Sequence, residues 1–192
     1  MLAKKFPGSR RLADSLSLAM NRDRPNDIAT AVASTLCDLI HDSNVELPDC
    51  CFMSVPGHYA RRELYRSEEY GFSVIAMTWG PGQGTPIHDH AGMWCVEGVW
   101  RGALEITPYE LLESRDDRYR FEPRGTAIVG RGAVGSLIPP HEYHTIRNPK
   151  VDVTAVTVHV YGKPMTRCSV FEPVDNGWYE RYERQLSLDG LG

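Results

Sequence analysis

Gly82-Gln83-Gly84-Thr85-Pro86-Ile87-His88-Asp89-His90 is the stretch on which the reading of this 192-residue chain turns. His88 and His90 stand at i and i+2, so on an extended segment both imidazoles leave the same face. His144 follows well downstream. Two histidines from one strand, joined by a third from a later strand, make a facial metal site with open positions. That geometry suits a redox-active iron centre better than a closed structural zinc site.

The rest of the composition narrows the partners. Formal net charge is −4, and the 21 basic residues are scattered rather than striped along one face. Nucleic acid and anionic membrane are therefore poor partners. No apolar run approaches the ~20 residues of a membrane span. The start, Met1-Leu2-Ala3-Lys4-Lys5-Phe6-Pro7-Gly8, lacks the apolar segment of a signal peptide. The cysteines Cys37, Cys50, Cys51, Cys95 and Cys168 are odd in number and show no repeated C-x-x-C spacing. They read as reduced thiols of a cytoplasmic protein, not as a disulfide framework or a zinc site.

Working outward, residues 9–45 have helical periodicity. Leu12, Leu16, Leu18 and Met20 give a first amphipathic stretch, and Pro25-Asn26-Asp27 caps a second from Ile28 to Ile40. From about Cys51, short apolar runs alternate with Gly and Pro: 72–79, 93–100, 103–112, 125–129, 136–139 and 151–161. Many short strands with turn residues between them predict a β-barrel or sandwich. The expectation is one domain over 1–192, with a helical cap over 1–50 and a β-barrel with a C-terminal extension over 51–192. In the strand predicted over Val151–Tyr161, Thr157, His159 and Tyr161 share one face. That face is too polar for plain core and predicts a pocket wall.

The spacing also resembles the two sequence motifs of the cupin barrels. Gly82, His88, His90 and Gly102 occupy positions of the first, and Pro139, His144 and Asn148 those of the second. Pro139 and Asn148 set a register that favours His144 over the neighbouring His141 as third ligand. Most cupins carry a glutamate ligand where this chain has Cys95, so the expected centre holds three histidines only. Three neutral imidazoles leave the full divalent charge on the metal, which suits a substrate arriving as a thiolate.

Within the cupins, the chain resembles the cysteine dioxygenase family of thiol dioxygenases from roughly Tyr59 to Cys168. Trp79 through His90 is very like that family's iron motif. Thr157-x-His159-x-Tyr161 resembles its outer-sphere Ser/Thr-His-Tyr triad, and Met165-Thr166-Arg167-Cys168 follows the same pattern. The resemblance implies a mainly β cupin barrel, jelly-roll-like, with N-terminal α-helices. It implies one Fe(II) per chain on His88, His90 and His144, with O₂ as co-substrate and a small thiol as substrate. Tyr59-x-Arg61 matches the segment whose arginine binds the substrate carboxylate, although counting back from Trp79 favours Arg62. Cys95 falls where animal-type enzymes carry the cysteine joined by a thioether to the active-site tyrosine, here Tyr161; simple packing is the equal alternative. L-cysteine is the leading substrate and 3-mercaptopropionate the runner-up. A non-catalytic metal- or metabolite-binding cupin is the rival from another class, and nickel or manganese the rival metal. The expected assembly is a monomer or weak homo-oligomer.

Overall fold

The computed structural model describes residues 5–191. Residues 1–4, which open both the expected cap and the segment read for a leader, lie outside the described residues, as does Gly192. Two helices come first, α1 (Ser9–Ala19) and α2 (Pro25–His41). Leu12, Leu16 and Ala19 of α1, and Val32, Leu36, Leu39 and Ile40 of α2, form single buried stripes, as helical spacing requires. Pro25-Asn26-Asp27 does not precede α2 but opens it, with Arg24 in extended conformation at the cap position. Proline's preset φ and missing N–H make the first helical position its natural place. No helix among the described residues is long and apolar enough to cross a membrane.

Twelve strands follow among the described residues: β1 (Ala60–Arg66), β2 (Ser73–Trp79), β3 (Ile87–His88), β4 (Cys95–Arg101), β5 (Ala103–Arg115) and β6 (Arg118–Pro123), then β7 (Ala127–Gly130), β8 (Val134–Leu137), β9 (His144–Arg147), β10 (Ala155–Tyr161), β11 (Arg167–Pro173) and β12 (Tyr179–Gln185). One sheet has the order β1-β2-β10-β4-β8 and the other β6-β12-β11-β3-β9-β5-β7. All pairings between these strands are antiparallel, and the long β5 also pairs with β6. Strands distant in sequence lie side by side, so the chain winds a double-stranded β-helix, the mainly β cupin barrel with helices ahead of it.

The first sheet is buried on both faces, and period 2 sorts its side chains between two cores. Val74, Ala76, Val156, Val158 and Val160 join the helices in one. Ile75, Met77, Trp79, Cys95, Val99 and Tyr161 face the barrel interior in the other. Thr157, His159 and Tyr161 thus point inward while the intervening valines carry the helical layer. The last strand of this sheet begins at Ala155 rather than Val151. Val151 and Val153 are exposed, and the Asn148 side chain holds the preceding loop by donating to the carbonyls of Trp79 and Val153.

Gly98 sets how closely α2 approaches the sheet. A Cβ there would lie 2.7 Å from Ile40 Cδ1 and 3.0 Å from Leu36 Cδ2. Gly98→Ala is expected to destabilise the protein by about 1–3 kcal/mol through overpacking. Urea unfolding should show a lower midpoint at an unchanged slope.

Candidate metal centre

The short β3 brings His88 directly opposite His144 on β9, while His90 lies just past the strand end. The ligand atoms of His88, His90 and His144 lie within 4.8 Å of one another. All three Nδ1 atoms are already engaged. His88 Nδ1 meets Pro86 O at 3.2 Å, and His144 Nδ1 meets Glu142 O at 3.3 Å. His90 Nδ1 lies 3.2 Å from Glu142 Oε2, the same oxygen that accepts the His90 backbone N–H at 2.7 Å. Protons on Nδ1 leave three Nε2 lone pairs for an ion, and His144 Nε2 is a buried atom with no hydrogen-bond partner. This donor set fits a divalent transition metal.

Electrostatics agree with neutral donors. Burial pulls His88 down to about 3, and the neighbouring His90 adds to the shift. His144 is held well below the usual histidine range, by burial and then by His88 and His90. Neutral imidazole is the form that binds metal. His141 is exposed on the turn where it bridges Ile138, away from this cluster.

Tyr59, Arg61, His159 and Tyr161 line the same narrow cavity as the three histidines, together with Trp79, Met165 and Cys168. The cavity is tight, at about 20 Å³ close to the room one water takes, so its lining side chains must yield to admit any substrate. Arg61 and Arg62 are both buried, on opposite faces of β1. The Arg61 guanidinium reaches the cavity and donates to Ser187 O at 3.2 Å and Met165 O at 3.1 Å. No carboxylate forms an ion pair with it among the described residues. Arg62 turns the other way and donates to Thr78 Oγ1, Met53 O and Gly190 O. Tyr59 stacks on Trp79 with ring centroids 4.7 Å apart.

Thr157, His159 and Tyr161 follow one another along β10. The Trp79 Nε1–H donates to Thr157 Oγ1 at 2.9 Å, and that hydroxyl meets His159 Nε2 at 2.7 Å. The Tyr161 ring stacks beside His159 at 5.9 Å, and its hydroxyl points to Met77 Sδ at 3.9 Å. His159 is therefore hydrogen-bonded to Thr157, while its contact with Tyr161 is ring stacking. Cys95 pairs with Tyr161 across β4 and β10, fully buried, with Sγ 3.9 Å from His159 Nδ1. Burial holds the Tyr161 phenol and the Cys95 thiol well above their usual ranges, so both are neutral at physiological pH.

Two carboxylates escape the reading of the sequence. Glu142 sits two residues before His144 and fixes His90. Glu97 lies two residues beyond Cys95 on the same inward face of β4; its Oε2 is 3.8 Å from His144 Nε2 and 3.4 Å from His159 Nδ1. Burial pushes its carboxyl up to about 7. Where most cupins place glutamate this chain has cysteine, yet a carboxylate reaches the cluster from the next inward position. The period-2 rule applied to β4 would have found it.

A cupin barrel with three converging imidazoles defines a candidate metal site of the cupin class. Residues 56–173 match the family described as cysteine dioxygenase type I, which is more than half of the chain. The chain belongs to that family. It is 26% identical over 101 residues to cysteine dioxygenase type 1 of Danio rerio and 22% identical over 101 residues to that of Homo sapiens, covering 53% of this chain and 50% of each relative. The match thus spans about half the length of those relatives. Among solved structures, a Klebsiella pneumoniae protein with a double-stranded β-helix domain aligns at 16% identity and TM-score 0.46, over 63% of this chain and 85% of that one. Oxalate oxidase bound to glycolate aligns at 23% identity and TM-score 0.44, over 57% of this chain and 53% of that one.

Proposed function

We propose that the protein is an iron(II)-dependent thiol dioxygenase that converts a small carboxylate-bearing thiol to its sulfinate, with L-cysteine as the leading substrate. The observation that carries this reading is the placement of an acid-free guanidinium, Arg61, in the same small cavity as three metal-ready histidines. Bound iron(II) would supply the site at which thiolate and O₂ combine, both oxygen atoms passing to sulfur. His88, His90 and His144 would hold the ion, one per chain. Arg61 would fix the substrate carboxylate, for which a planar guanidinium offers bidentate pairing. Tyr59, stacked on Trp79, would wall the carboxylate end. Tyr161 would present a neutral phenol O–H near the reacting groups, and His159, tied to Thr157, would hold that wall in place. This reading includes a cytoplasmic enzyme, a monomer or weak homo-oligomer, that acts on a small thiol and not on nucleic acid or membrane.

The test is O₂ uptake by iron-loaded protein with a panel of thiols. Cysteine should be consumed with one O₂ per thiol and sulfinate as product. A negligible kcat/KM with cysteine alongside turnover of 3-mercaptopropionate would transfer the assignment to the latter. No thiol-dependent uptake by iron-replete protein would favour a binding cupin.

The cross-strand pairing of Cys95 with Tyr161 also supports a thioether between them. The bond would join Sγ to a ring carbon, with the thiol and ring hydrogens and their two electrons passing to O₂. Intact mass should then fall by two hydrogens after turnover in the wild type and stay unchanged in Cys95→Ser. A wild-type mass unchanged by turnover, with the full complement of hydrogens, would overturn the crosslink.

A further inference from the structure

Glu97 is a buried carboxylate with an unusual set of neighbours. The residue is 5% exposed, and its Oε2 has no hydrogen-bond partner. Its ion-pair neighbours are His144 Nε2 at 3.8 Å and His159 Nδ1 at 3.4 Å; no lysine or arginine pairs with it among the described residues. Glu97 also lines a separate cavity of about 110 Å³ whose walls include Val99, Ile106, Val129 and Ile146, and these apolar side chains offer it nothing.

The conflict lies between Glu97 and His144. His144 is set by its Nδ1 contact to present a lone pair at Nε2, and an ionised carboxylate presents lone pairs only. His144 Nε2 and Glu97 Oε2 therefore face each other, 3.8 Å apart, as buried atoms without a hydrogen-bond partner, and His159 Nδ1, whose ring meets Thr157 through Nε2, stands 3.4 Å from the same oxygen. Burying such groups unpaired is costly, and a cation beside both removes the cost. The same protein already places the other two imidazoles around that nitrogen.

We propose that Glu97 is the anionic partner of the metal in this centre, a positioning carboxylate that lowers the net charge of a divalent site by one and strengthens its hold on the ion. The proposal rests on the reading of His88, His90 and His144 as metal ligands. With Glu97 ionised, metal, carboxylate and one substrate thiolate sum to zero charge in a cavity too small for bulk water. The Arg61 guanidinium then remains free to be balanced by the substrate carboxylate. Selection for a singly charged anionic thiol group thus comes from two separately balanced pairs.

The experiment compares wild type, Glu97→Gln, Glu97→Asp and His144→Ala for Co(II) binding, for azide binding to the Co(II) form, and for the rise in Tm on adding Co(II). Glu97→Gln keeps the shape and removes the charge. It should weaken Co(II) binding by about tenfold or more, the range seen when groups that support metal ligands are lost. Azide binding to its Co(II) form should tighten, because the site regains a full positive charge. The metal-induced rise in Tm should shrink, and Glu97→Asp should recover part of it. Apo Glu97→Gln should stay about as stable as apo wild type, which separates lost metal binding from a folding defect. Co(II) and azide affinities within about twofold of wild type would overturn the proposal while leaving the three-histidine site intact. Wild-type protein that binds no Co(II), like His144→Ala, would overturn the metal reading and this proposal with it.

Discussion

His144→Ala is expected to lose stoichiometric iron and with it thiol-dependent O₂ consumption. Replacing a group that merely supports a ligand costs about 10–100-fold in metal affinity or activity. Removing one of three direct donors should cost more, so both readouts should fall below about 1% of wild type. The fold should survive, because neutral His144 contributes no hydrogen bond from Nε2 and apo protein loses no cross-link with it. Metal analysis after anaerobic loading, with far-UV circular dichroism as a fold control, checks the expectation. Two neighbours supply the contrast. His141→Ala, on its exposed turn, should keep iron and activity, whereas iron retained by His144→Ala and lost from His141→Ala would reverse the ligand assignment. Glu142→Gln should fall between them, at about 10–100-fold weaker metal binding, because it alters the oxygen that faces both the His90 backbone N–H and Nδ1.

The convergence of the three histidines was legible in the sequence because its signal is local or anchored by spacing. His88 and His90 sit two residues apart after a Gly/Pro turn, and Pro139 and Asn148 frame His144. The inward face of β10 was legible for the same reason, since alternation needs only the strand itself. The carboxylates were not. Glu97 becomes part of the centre only once β4 is set against β10 in a register that brings position 97 opposite His159. Glu142 acts through a backbone N–H and an imidazole contributed by a residue far earlier in the chain. The strands that went unread fail for another reason: β12, Tyr-Glu-Arg-Tyr-Glu-Arg-Gln, is largely exposed and carries no apolar alternation to reveal it. Its extended form comes from pairing with β11 along its whole length.

The choice between Arg61 and Arg62 has the same origin, and it leads to the second large expected effect. Consecutive residues of a strand point to opposite faces, so one of the two arginines had to face the barrel interior as soon as β1 formed. That one is Arg61, and among the described residues its guanidinium has carbonyl acceptors but no acid paired with it. Arg61→Met should weaken the binding of carboxylate-bearing thiols, because truncating one partner of a buried, hydrogen-bonded charge pair costs about 2–5 kcal/mol. In kcat/KM for cysteine this is a fall of about 30-fold or more. Cysteamine, which keeps the thiol and amine but lacks the carboxylate, separates recognition from general damage. Its binding to the cobalt-loaded protein should change far less than that of cysteine. Arg62→Met should behave in the opposite way, leaving the ratio of cysteine to cysteamine affinity where it is. Its cost should appear as stability, about 1–3 kcal/mol, because Thr78 Oγ1 and the carbonyls of Met53 and Gly190 lose a buried donor. Equal losses for cysteine and cysteamine in Arg61→Met would remove the carboxylate clamp from the reading, and a carboxylate-selective loss in Arg62→Met would move it to the other face of β1.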